Sequence, residues 1–93
     1  MNDLKIIRDI LIKHIDTAKN KVFIFGSRGT DNYRPNSDLD LFIDDQDIPS
    51  EKISYLHEDF ENSNLSYKVE IILKSRIDQS FYTQIKDSFR PIF

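Results

Sequence analysis

The chain contains no cysteine among its 93 residues, which excludes disulfide crosslinks and thiolate chemistry and leaves the redox compartment undetermined. It has no basic excess either: 13 Lys and Arg stand against 16 Asp and Glu, for a formal net charge of -3 and a pI of about 5.2. Broad nonspecific binding to nucleic acid or to an anionic membrane usually rests on a basic surface, so the balance argues against both, though a local basic patch is compatible with it. A long apolar run is missing as well. The opening stretch MNDLKIIRDILIKHI sets acids and lysines among its apolar residues, so it forms neither a signal-peptide core nor a membrane span. The expected location is cytoplasmic. No internal repeat, low-complexity tract or linker interrupts the chain, and residues 1–93 are expected to form one domain. With 39% hydrophobic and 31% charged residues, that domain should be globular, with a modest core.

Apolar periodicity supplies the elements. Leu4, Ile7, Leu11, Ile15 and Ala18 recur at helical spacing, with Ile6 and Ile10 widening the stripe, and predict an amphipathic helix over 3–18. NKVFIFG reads as a buried strand closed by Gly26. A turn-rich RGTDNYRPN follows, or a short helix starting at Ser27. SDLDLFID alternates, with Leu39, Leu41 and Ile43 on one side and Asp38, Asp40, Phe42 and Asp44 on the other. Pro49 and Ser50 open a second helix with Ile53, Leu56 and Phe60 as its buried stripe, ended by ENSN. YKVEIILK predicts a third strand, with Val69, Ile71 and Leu73 opposite Glu70 and Ile72. SRID resembles a capping box, and Ile77, Phe81, Ile85 and Phe89 predict a last helix stopped by Pro91. Phe23, Phe25, Phe60, Phe81 and Phe89 fall on the buried stripes. The order predicts an α+β fold, a small mixed sheet flanked by helices.

Asp38 and Asp40 leave one face of their strand about 7 Å apart. If the third strand is the neighbour, Glu70 approaches them. Three anions converging beside Phe42 and Ile72 repel one another and lose hydration, which is costly unless a cation neutralises them. Hard oxygen donors at this density suit Mg²⁺ or Mn²⁺, and two such ions can clamp a phosphoryl or nucleotidyl group during in-line displacement. Gly26 lets backbone N–H groups approach a phosphate closely, and a helix starting at Ser27 would aim its positive end at the same anion. Arg28 and Arg34 are further phosphate ligands in this reading. A lone D-x-D is more often a solvated strand face than a metal site. The combination of Gly-Ser, ten residues and Asp-x-Asp is rarer, on the order of one chance match per thousand chains of this length, and favours a site.

At these residues, GSRGTDNYRPNSDLDL, the chain resembles the minimal nucleotidyltransferases of the DNA polymerase β superfamily. The resemblance extends to the third acidic residue and the closing helix, and so covers most of the chain. It implies a polymerase β-like nucleotidyltransferase fold. It also implies transfer of a nucleoside monophosphate from ATP or another nucleoside triphosphate to a hydroxyl acceptor, with release of pyrophosphate. Gly26 and Ser27 would grip the triphosphate, Asp38 and Asp40 would hold Mg²⁺, and Glu70 would bind the second metal and activate the acceptor. Two positions depart from the family pattern. Gly29-Thr30-Asp31 replaces a run that is small-basic-glycine in many relatives, and Glu70 stands where aspartate is commoner.

Other polar residues receive ordinary readings. His14 and His57 have no partner at ligand spacing, Ser37 serves a turn, and Tyr33 packs a loop. Lys74, Arg76, Asp44, Asp45 and Asp47 are solvated charge. Two function classes then compete: an enzyme, and a binding module of the same fold acting as antitoxin or regulatory subunit. The resemblance implies as partner a helical HEPN-type protein, a ribonuclease toxin silenced by addition of AMP. A homo-oligomer is compatible with the same reading. Aminoglycoside-type acceptors are disfavoured, because enzymes acting on them usually carry an extra domain. The apolar PIF at 91–93 would be covered by a partner or by the sheet itself.

Overall fold

The computed structural model describes residues 2–25, 39–65 and 67–93, with side chains from residue 4 onward. The described elements are α1 (Asn2–His14), β1 (Lys21–Phe25), β2 (Leu39–Asp44), α2 (Ser50–Glu61), β3 (Val69–Leu73), α3 (Gln79–Ile85) and β4 (Arg90–Pro91). Short 3-10 turns at Lys74–Arg76 and Lys86–Ser88 flank α3. The strands form one mixed sheet in the order β3-β2-β1-β4, with β2 and β3 parallel and the other pairs antiparallel. This is the α+β architecture expected for a polymerase β-like nucleotidyltransferase.

The alternation read from the sequence decides the layering. Val22, Leu39, Leu41, Ile43, Val69 and Leu73 point to one face and are buried beneath Ile7, Leu11 and Ile15 at the α1 side and Ile53, Leu56 and Phe60 of α2. Each fully buried aliphatic side chain here contributes about 1.5–3 kcal/mol through removal of apolar surface from water. The opposite face carries Phe23 and Phe25 of β1, Asp40 and Phe42 of β2, and Glu70 and Ile72 of β3, aligned by register. Part of this second face is covered. Phe42 is buried, stacked on Phe89 at 4.5 Å between ring centroids, with Tyr82 of α3 at 5.7 Å. The sheet therefore has a helical core on one side and an aromatic cluster on the other.

Several boundaries differ from the sequence reading. The first helix ends at His14 rather than at residue 18. The Asp16 carboxylate accepts hydrogen bonds from the Ala18 and Lys19 N–H groups at 3.0 and 3.2 Å, a local turn that competes with helical continuation. Ser75 is not a helix cap: its N–H and hydroxyl both donate to Asp45, at 2.9 and 2.6 Å. Asp78 takes that role, accepting from the Phe81 N–H at 2.7 Å. Phe81, expected to be buried, is exposed, and Phe89 lies beyond the helix in extended chain. Pro91 does not merely stop a helix. Arg90 and Pro91 form β4, paired with Ile24 and Phe23. Proline is tolerated there because β4 is an edge strand. Ile92 is buried, donates its N–H to the Val22 carbonyl at 3.2 Å and accepts from Arg8 Nε at 2.6 Å. Of the apolar PIF segment, Ile92 is thus absorbed by the domain's own sheet, while Pro91 is exposed at its edge and Phe93 is about half exposed.

Candidate active site

Asp40 and Glu70 are register partners on adjacent parallel strands. Side chains at paired positions leave the same face, so two carboxylates separated by 30 positions in sequence stand side by side. On the other flank of Asp40, its antiparallel partner is Phe25, the last residue of β1. The row Phe25–Asp40–Glu70 crosses three strands at one end of the sheet. One step along each strand from the carboxylates, on the same face, lie Phe42 and Ile72, themselves register partners.

This arrangement follows from how the local sequence folds. Leu39, Leu41 and Ile43 are buried under the helices, and a one-residue slip would exchange them with the carboxylates. The hydrophobic pattern of β2 therefore fixes the direction of Asp40. Val69 and Leu73 do the same for Glu70. The aromatic cluster covers the second face around Phe23 and Phe42, while the Glu70 side chain remains 46% exposed. Lys68 Nζ lies 3.5 Å from Glu70 Oε1.

Of the residues expected at the site, Asp40 and Glu70 are brought together as the neighbouring-strand argument required. Gly26, Ser27, Arg28, Arg34 and Asp38 lie outside the described residues, as do Asp31, Tyr33 and Ser37. Among the described residues no group of three His, Cys, Asp or Glu side chains gathers as a metal site. Asp40 and Glu70 make two of the three expected carboxylates, and the third, Asp38, is not among those described. Two aligned hard oxygen donors nevertheless have the ligand chemistry that Mg²⁺ or Mn²⁺ takes.

Three residues make polar contacts that the sequence reading did not name. His14 Nε2 lies 2.6 Å from Asp59 Oδ2, a hydrogen-bond partner 45 positions away and on another helix, which no local spacing reveals. Lys74, expected to be solvated, sits 5.0 Å over the Tyr82 ring and 3.9 Å from Asp44. Lys68 had a signal: a residue two before Glu70 in extended chain shares its side of the sheet. Among the described residues, no helix is long and apolar enough to cross a membrane.

Comparison with known proteins agrees with this geometry. The family profile described as a nucleotidyltransferase domain matches residues 4–92, nearly the whole chain. The chain is also 33% identical over 57 residues to Poly(A) RNA polymerase protein 1 of Saccharomyces cerevisiae. That alignment covers 58% of this chain and 9% of the yeast protein, so the chain corresponds to a small part of that relative. A match of this extent, on a sheet that sets an aspartate and a glutamate side by side, shows that the chain belongs to the nucleotidyltransferase domain family, with a polymerase β-like fold.

Proposed function

We propose that this domain transfers AMP from ATP to a hydroxyl group of a partner protein, a helical chain of the HEPN type, in a reaction that depends on two divalent cations. The observation that carries the reading is the register pairing of Asp40 with Glu70 on the second face. Membership of the nucleotidyltransferase family supports nucleotidyl transfer in general. The choice of adenylate takes support from the likeness to a protein named as a poly(A) polymerase.

Asp38, Asp40 and Glu70 would hold the cations. Bound Mg²⁺ or Mn²⁺ would neutralise the triphosphate and stabilise charge on the transferring phosphoryl group. Gly26, Ser27, Arg28 and Arg34 would grip the triphosphate. Glu70 would accept the acceptor's proton on a carboxylate oxygen as the acceptor oxygen bonds to the α-phosphorus. The bond from that phosphorus to the bridging oxygen would break, and pyrophosphate would leave.

The test is to co-express the chain with the protein encoded beside it, purify through one tag, and incubate the pair with ATP and Mg²⁺. A gain in the partner's intact mass by whole AMP units, lost in Asp38→Asn/Asp40→Asn, is expected. A tight complex without modification would instead establish a binding module. Absence of both complex and modification would remove the protein acceptor from the proposal.

A further inference from the structure

Lys68 precedes β3 by one residue, and its carbonyl accepts the Leu39 N–H at 2.9 Å, which ties its backbone to the start of β2. Two residues apart in extended chain, Lys68 and Glu70 share a side, and their charged groups approach to 3.5 Å. The pair is a single long contact, with the two side chains 73% and 46% exposed. Such a contact is weak and exchanges readily.

A divalent cation competes for the same carboxylate with twice the charge and can bridge more than one ligand. Once displaced, the Lys68 ammonium stays tethered within a few Å of the site on its flexible four-carbon stem. The anion then available to it is a phosphate oxygen of the incoming nucleotide, a partner that a lysine takes as a point charge. We propose that Lys68 is a triphosphate-binding residue that pairs with Glu70 in the resting protein and exchanges that carboxylate for a phosphate oxygen when metal and nucleotide bind. The inference rests on the nucleotidyl-transfer reading given above.

Opposite shifts in two binding measurements test it. Lys68→Met keeps the apolar stem and removes the charge. Calorimetric titration of the full chain with Mn²⁺ alone should show tighter binding in Lys68→Met, by about two- to five-fold, because a competitor for Glu70 is gone. Titration with a non-hydrolysable ATP analogue in the presence of Mg²⁺ should show binding weakened by about five-fold or more in the same variant, and restored by Lys68→Arg. Any other pattern in the two titrations, including no change in either, overturns the exchange while leaving the nucleotidyl-transfer reading intact, provided the wild type binds both ligands. A wild-type chain that binds neither Mn²⁺ nor the analogue overturns both.

Discussion

His14 and Asp59 join the two helices on the core side of the sheet, with Nε2 2.6 Å from Oδ2 and the imidazole only 12% exposed. Tyr55 packs beside the ring at 5.8 Å, and Lys13 Nζ lies 3.5 Å from the same carboxylate oxygen. The hydrogen bond from His14, aided by the charge of Lys13, holds the Asp59 carboxyl below its ordinary value of 3.8 against the opposing effect of burial. A carboxyl depressed in the folded state contributes stability that is present above that ordinary value and lost as pH falls through the lower, folded-state value. Melting temperature followed from pH 6 downward should therefore fall less steeply in Asp59→Asn than in the wild type below about pH 4. Parallel acid limbs in the two proteins would show that the pair contributes nothing to acid sensitivity.

Asp40 and Glu70 should be separable from stability. Both lie on the second face, outside the aliphatic core, so Asp40→Asn and Glu70→Gln should fold with near-normal circular dichroism. In the wild type, Mn²⁺ at a hundred-fold excess over its dissociation constant should stabilise the fold by about 2.7 kcal/mol, and Asp40→Asn should lose most of that response. Glu70→Gln should reduce transfer by about 10²–10⁴-fold, as expected for loss of a general base. An undiminished Mn²⁺ response in Asp40→Asn would remove Asp40 from the metal site.

The stack of Phe42 on Phe89, with Phe23 5.2 Å from Phe89, predicts a stability role for a residue that lies outside every helix and strand. Phe89→Ala should cost about 2–4 kcal/mol, read from the urea midpoint, through a cavity and lost ring contacts. A loss below about 0.5 kcal/mol would mean that the cluster collapses around the gap.

Asn20 is a buried polar side chain with both ends engaged. Its amide donates to the Asp16 carbonyl at 2.9 Å, and its oxygen accepts the Gln46 N–H at 2.5 Å. Asn20→Ala leaves the Gln46 N–H without this acceptor and should cost about 1–3 kcal/mol. Lys5→Ala, which removes an exposed pair with Asp9, should change stability by less than about 0.5 kcal/mol. Equal effects of the two substitutions in chemical denaturation would contradict the role given to Asn20.

Much of the sheet was legible because period-two alternation is enforced by burial. Leu39, Leu41 and Ile43 had to face the helices, which sent Asp40 and Phe42 the other way. The same rule, applied to Val69 and Leu73, aimed Glu70. The adjacency of β2 and β3 was a conditional inference, and the register confirms it. The end of α1 was misread because apolar periodicity continues to Ala18 while the Asp16 carboxylate captures the Ala18 and Lys19 N–H groups. β4 was missed because proline argues against a strand in the interior of a sheet but not at its edge. His14 and Asp59 meet only through the packing of two helices, a tertiary fact with no local trace.

The pairing of β1 with β4 has a consequence for how the chain acquires its fold. β1 lies between β2 and β4, and the contact from Arg8 to the Ile92 carbonyl spans 84 positions. During synthesis the outer edge of β1 lacks its β4 partner until residues 90–92 leave the ribosome, so this pairing forms across a long loop. In that interval the unpaired N–H and C=O groups of Val22 to Ile24 form a template that another nascent copy can occupy. Yield of folded protein should accordingly depend on how quickly residues 90–92 arrive relative to encounters between incomplete chains.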